Sequence, residues 1–226
     1  MDLRIDQSLP DAGVEVNLGI VLYDVTVAPA DAGLNTTLDE AIILRREELA
    51  GHAASSDGVI AAMRGAFKAC GKDPARYRPS SESLTRRVIN GKDLARINNV
   101  VDCGTVVSLM TGLPVGCYDA EKLTGNLVLR VAGQDESYDG LGRGPVNLAG
   151  LPVLADEAGP FGSPFSDSTR TAVTETTQQV LFVLYGLDIT AEQVDSAGQM
   201  ADTLIRHFCT DEDLEAMDTP SPANEP

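Results

Sequence analysis

Between Asp167 and Thr171 the chain sets a carboxylate, three hydroxyls and a guanidinium in five consecutive residues, Asp-Ser-Thr-Arg-Thr. Such a set can hold a water, donate hydrogen bonds to a developing oxyanion and clamp a carbonyl or phosphate. The same residues also make an ordinary polar loop whose hydroxyls satisfy nearby backbone groups, and both readings stand. Glu82, three residues after Pro79 and beside Ser81, either faces a shared cavity or completes a capping box. Arg130, in a strand, either grips a carboxylate bidentately or bridges to Asp102 or Asp156. Asp102 lies in an otherwise apolar helix and must find a partner if buried. The acidic pairs Asp135–Glu136 and Asp156–Glu157 fall on turns, where solvated carboxylates outnumber hard-cation sites, so no metal is expected.

Other chemistries lack their residues. No serine stands in a Gly-x-Ser-x-Gly elbow. The segment GKDPAR at 71–76 lacks the spaced glycines that let backbone amides surround phosphates. The two histidines, His52 and His207, do not stand where they would activate a serine or cysteine. Cysteines at 70, 103, 117 and 209 form no Cys-x-x-Cys pair; they are expected to be reduced and mostly buried, as small hydrophobes.

The 226 residues and 43% hydrophobic content suffice for one substantial core. No segment approaches the roughly 20 apolar residues that cross a bilayer, so a cytoplasmic protein without a membrane partner is expected. A net charge of −17 opposes binding to DNA or any other phosphate backbone. The absence of tryptophan and an aromatic content of 4% argue against rings as base-stacking platforms. The charge is uneven, however. Residues 64–96 carry nine basic side chains against three acidic ones. This stretch, Arg86 and Arg87 included, reads either as a solvated helical face or as a landing site for RNA phosphates.

These groups need elements to position them. Val14 to Val27 reads as a strand or strand pair. A helix capped by Thr36 or Thr37 runs to Ala50, and another spans about 57–68. Ser80 or Ser81 caps a helix that turns Leu84 and Val88 inward and Arg86 and Arg87 outward. A buried helix covers Val100 to Met110 and ends at Gly112. Strands follow near 115–118, 127–132, 151–155 and 179–185, and Thr190 with Gln193 starts a last helix to about Phe208. Helices mixed with strands and then strands in series predict an α+β fold with a mixed sheet, one domain over residues 1–210. The acidic, Pro-rich stretch 211–226 is expected to be disordered.

Four segments, in order, resemble the B3/B4 domain of the phenylalanyl-tRNA synthetase β subunit, and more closely the free-standing proteins that carry this domain alone. They are INNVVD at 97–102, LPVGCYD at 113–119, LVLRVAGQDE at 127–136 and SDSTRTAVTETT at 166–177; the similarity covers about 60–185. In the synthetase this domain hydrolyses tyrosine wrongly attached to the phenylalanine tRNA. The resemblance therefore implies a pocket for an aminoacyl ester, no cofactor, and an aminoacyl-tRNA or an amino-acid-like small molecule as partner. Within it, Asp167 would act as base or water-holder, Arg170 as clamp, and Ser168 and Thr171 as donors. Arg78, Ser81, Glu82, Asn98 and Arg130 would bind substrate, and Arg86 and Arg87 the tRNA. Gly116 stands where the synthetase pattern has histidine, and Thr169 where many synthetases have glutamate, as in the free-standing subset. A non-catalytic module that binds an amino acid, an aminoacyl end or a protein is the rival expectation.

Overall fold

The computed structural model describes residues 2–210; the stretch expected to be disordered, 211–226, lies outside them. The architecture is α+β. Its middle is strand β9 (Gln179–Leu187), QVLFVLYGL, which is buried from its second residue onward. A run this apolar, with β-branched and aromatic residues, suits a strand covered on both faces. It pairs antiparallel with β2 (Val16–Asp24) on one side and β3 (Val115–Asp119) on the other. A second sheet has the order β1 (Leu3–Ile5), β4 (Leu127–Val131), β7 (Pro152–Asp156), β8 (Gly159–Gly162). It is mixed, because β1 runs parallel to β4 and the other pairs are antiparallel. A separate hairpin joins β5 (Ser137–Gly140) to β6 (Gly144–Asn147).

Short helix α1 (Ser8–Asp11) precedes β2, and α2 (Ala32–Glu48) follows it. α2 begins earlier than expected because the Asp31 carboxylate accepts the Leu34 amide at 2.7 Å, a stronger cap than Thr36 or Thr37, whose hydroxyls instead bond back to Ala32 and Gly33 carbonyls. Asp57 caps α3 (Gly58–Ala69) in the same way. α4 (Ser80–Ile89) starts after Pro79 with no side-chain cap. The capping role expected of Ser80 or Ser81 is therefore not met; the Ser80 amide is satisfied by the Pro164 carbonyl at 2.8 Å. α6 (Ala191–Cys209) carries the expected Thr190–Gln193 capping box and buries Val194, Ala197, Ala201 and Ile205 against β2 and β9.

The helix that most directly shapes the site is α5 (Asn99–Thr111). Asn98 caps it through Val101, and Gly112, at φ 75°, ends it in the left-handed region. Asn99 fixes its start: the amide group donates to the Thr26 and Phe208 carbonyls and the oxygen accepts from Ala28. Gly104 lets the helix lie close to β3, since a Cβ there would stand 3.2 Å from both Cys117 Sγ and Val115 Cγ1. All four cysteines are free; Cys103 and Cys209 are buried with their sulfurs 3.9 Å apart, while Cys70 and Cys117 are half-buried. The strands β1, β5, β6 and β8 lie outside the elements expected from sequence, being three or four residues long.

Candidate functional site

A cavity of about 440 Å³ opens between α4, α5, β3 and the turn that joins β5 to β6. This is within the roughly 300–1,000 Å³ typical of small-molecule sites. Its walls are mostly apolar: Leu84 comes from α4, Val101 from α5, Val115 from β3 and Leu141 from the turn. The polar exceptions are Ser80, Thr105, Ser108 and Asp167. Asp167 is the one carboxylate of the lining among the described residues.

The structure builds an internal chain of hydroxyls behind Asp167. Tyr118 Oη donates to Asp167 Oδ1 at 2.6 Å, and Tyr185 Oη lies 2.6 Å from Tyr118 Oη. A phenol has one proton, so Tyr185 must donate to Tyr118 for Tyr118 to donate to the carboxylate. The Ser163 amide also reaches Oδ1, at 3.4 Å. Oδ2 has no hydrogen-bond partner in the protein and remains for whatever enters the cavity. Burial pushes the Asp167 carboxyl up to about 7, against the opposing pull of the Tyr118 and Ser163 hydrogen bonds. Both tyrosines are held well above the usual phenol range, by burial first and the Asp167 charge second. A carboxyl raised toward neutrality in this way is suited to accept a proton.

Two glycines make room for this arrangement. The Tyr118 ring lies over both Gly116 on its own strand and Gly162 at the end of β8, and a Cβ at either would overlap its hydroxyl. Gly116 is the position at which the resemblance expects histidine; the space is taken by Tyr118, packed edge-on to Phe161 with centroids 4.9 Å apart. Tyr118, Tyr185 and Cys117 were not among the residues expected from sequence. A signal existed: a tyrosine inside a buried apolar strand needs a hydroxyl partner, and β9 contains one.

The remaining expected site residues do not share the cavity. Arg170 was expected to clamp substrate, but its guanidinium forms a two-pronged pair with Asp156 at 2.9 and 3.0 Å and donates to the Lys122 and Gly159 carbonyls. The Asp156 side chain is fully buried and also accepts the Thr124 and Ala158 amides, so this corner is closed on itself. Ser168 is buried, its hydroxyl accepts the Arg170 amide to cap the 3₁₀ turn 169–171, and it lies outside the cavity lining. Thr171 is buried with its hydroxyl unpartnered, outside the cavity lining. Thr169 is exposed.

Arg130 pairs bidentately with Glu136, both bonds at 2.6 Å, and not with Asp102 or Asp156. The near neighbour across the turn satisfies it; the distant carboxylates do not. Asp102 accepts the Ile97 amide at 3.1 Å and leaves Oδ2 buried without a partner, which raises its carboxyl above the ordinary range by desolvation. Glu82 completes no capping box. It is buried and pairs with Arg64 at 2.7 Å, with Arg78 and Arg86 farther off at 3.8 and 4.0 Å. Ser81 is buried with an unpartnered hydroxyl, and Asn98 is spent on the α5 cap. Arg86 and Arg87 are both exposed, but the helical repeat separates them. Arg86 follows Glu82 by four residues, whereas Arg87 lies one turn beyond Leu84, on the stripe that meets the cavity.

Comparison with known proteins adds three findings. The B3/4 domain profile matches residues 62–208, on through α6 and beyond the stretch expected to match. The chain is 32% identical over 105 residues to the phenylalanine–tRNA ligase beta subunit of Mycoplasma pneumoniae, an alignment covering 46% of this chain and 13% of that protein. Among solved structures, an N-terminal fragment of the phenylalanyl-tRNA synthetase beta subunit from Pyrococcus horikoshii superposes with a TM-score of 0.47 at 15% identity, over 92% of this chain and 48% of that one.

Proposed function

Since this chain belongs to the B3/4 domain family, we propose that its cavity receives the aminoacyl ester at the end of a charged tRNA and that Asp167 promotes hydrolysis of that ester. The observation that carries this reading is a carboxylate with one oxygen unspent in the wall of an apolar cavity, where burial pushes its carboxyl up to about 7. An aminoacyl ester is already labile, so a water held by a base near neutrality supplies much of what is needed, roughly 10²–10⁴-fold. Asp167 Oδ2 would hold that water or the substrate ammonium, while Leu84, Val101 and Val115 would cover the amino-acid side chain. Ser80 and Ser108, lining hydroxyls without a hydrogen-bond partner in the protein, would be the donors for the carbonyl. In this reading residues 2–210 work as one cytoplasmic unit without a cofactor. Arg87, on the cavity stripe, would meet the tRNA before Arg86.

A second reading has its own support. No guanidinium or imidazole is among the lining residues, and Arg170 is consumed by Asp156. A pocket that binds an amino acid or an aminoacyl end without turnover needs no more than is present.

The two part in one assay, in which a panel of mischarged tRNAs and free aminoacyl ethyl esters is incubated with wild type and Asp167→Asn. Hydrolysis is expected to rise with pH through about 7 in wild type and to fall by roughly 10²–10⁴ in the variant. Slowed spontaneous ester loss, without turnover, would establish the binding reading in its place.

A further inference from the structure

Arg143 follows two cavity-lining residues in the chain, and its guanidinium makes a ring contact but no hydrogen bond or ion pair within the protein. It sits in the β5–β6 turn, directly after Leu141 and Gly142, which line the cavity. The turn is fixed to the site: the Leu141 amide donates to the Asp167 carbonyl at 2.9 Å, and the Arg143 amide to Gly140 at 3.2 Å. The guanidinium carbon lies 4.7 Å from the centre of the Phe165 ring, two residues before Asp167. Phe165 in turn packs on Tyr77 at 5.3 Å, and Lys72 Nζ lies 3.8 Å from the Tyr77 ring centre. Arg143 is exposed and makes no hydrogen bond or ion pair through its side chain within the protein, so its five N–H donors are unspent.

We propose that Arg143, its guanidinium carbon 4.7 Å from the centre of the Phe165 ring, is the binding group for the terminal nucleotide of the substrate, with the attached acyl group reaching Asp167. This rests on the aminoacyl-ester reading above. A guanidinium backed by a ring offers a second planar face on which a nucleobase stacks, and an edge of N–H groups that grips a phosphate. A nucleotide supplies both partners at once, whereas the acyl end of an aminoacyl ester has its carboxyl esterified and offers the guanidinium no anion. The chain is poor in aromatic residues and strongly acidic, so one pre-oriented arginine in the β5–β6 turn does the work of a ring platform and offsets the repulsion locally. The contact with Phe165 meets part of the side-chain ordering cost.

The test titrates the full-length protein with adenosine 5′-monophosphate, adenosine and inorganic phosphate, followed by the NMR signal of the arginine Nε–H groups. The monophosphate is expected to bind about tenfold more tightly than either half. Arg143→Ala should raise its Kd about tenfold, and Arg143→Lys should recover phosphate binding but not adenosine binding. Phe165→Leu, which keeps the volume and removes the ring, should weaken adenosine more than phosphate. An identical monophosphate Kd in wild type and Arg143→Ala, or no monophosphate binding at all, overturns the proposal. Aminoacyl ethyl esters are titrated in the same samples. Arg143-dependent nucleotide binding with no ester bound would leave the nucleotide site standing and remove the aminoacyl reading. Ester binding at Asp167 with Arg143-independent nucleotide binding would do the reverse.

Discussion

Asp156 and Asp167 are both carboxylates largely withdrawn from solvent, the first buried and the second half-buried in the cavity wall, yet their surroundings are opposite. Asp156 has both oxygens occupied, by a two-pronged arginine and two backbone amides, and its side chain is fully buried. Asp167 has one oxygen held by a phenol and an amide and the other facing a cavity, and its carboxyl is pushed up to about 7. The first is a fastener, because every acceptor position is matched by a donor in the protein. The second is incomplete in the free protein, and a half-buried carboxylate with an unused acceptor is where a ligand or a proton gains most. Arg170 belongs with the first although it is only three residues from the second. The 3₁₀ turn at 169–171 carries the chain from the cavity wall to the closed corner.

The largest separation expected between the two is in stability. Asp156→Ala strands the Arg170 guanidinium and two amides, and should cost about 3 kcal/mol in urea denaturation. Arg170→Ala should cost a similar amount, and in the variant that still folds the affinity for cavity ligands should be unchanged. Asp167→Asn should behave in the opposite way. Because the folded carboxyl is raised above its unfolded value, its contribution favours folding below about pH 4 and is lost as pH rises through about 7. Replacing it should leave stability at pH 8 equal or higher and flatten the decline between pH 4 and 7, read from denaturation midpoints across that range. Tyr118→Phe removes a donor that pulls this carboxyl down and should move the midpoint of the decline upward. If Asp156→Ala and Asp167→Asn lower stability equally at pH 8, the contrast between fastener and incomplete site is wrong.

Much of the fold was legible in the sequence because its signals are local. The Thr190–Gln193 box and Gly112 at the end of α5 each depend on residues within one turn, and both are present. The strands at 137–140, 144–147 and 159–162 were not, since four residues carry no periodicity and are held by partners elsewhere in the chain. Within the site, Asp167 stood out as a carboxylate among hydroxyls, and it does line the cavity. Its neighbours Ser168, Arg170 and Thr171 drew attention by the same adjacency and turn elsewhere. What completes the site comes from β3 and β9: Tyr118 and Tyr185 are 67 residues apart and meet only because β3 and β9 are paired. Tyr118 stands opposite Leu181 and reaches Tyr185 by lying over Gly116, a meeting that leaves no mark in spacing along the chain. The same holds for Arg130, whose partner is set by the shape of the 133–136 turn and not by charge alone.

The smallest effect concerns the basic stretch, where the comparison repeats on one helix. Arg86 is within 4.0 Å of the buried Glu82, which already draws on Arg64 and Arg78. Part of its charge is therefore answered inside the protein. Arg87 is exposed and gives one hydrogen bond to the Asp93 carbonyl, a neutral acceptor, so its full charge is presented along the stripe that leads to the cavity. If tRNA phosphates approach this side, Arg87→Ala should reduce the slope of log K against log salt by about one, and Arg86→Ala by less. The measurement is tRNA binding at several salt concentrations for wild type and each variant. Equal slopes for all three proteins would assign residues 64–96 to a solvated face and leave the nucleotide to be held by Arg143 alone. A larger loss for Arg86 than for Arg87 would mean that tRNA crosses α4 on the Glu82 side, away from Asp167, and no acyl group carried on that path could reach the unspent oxygen.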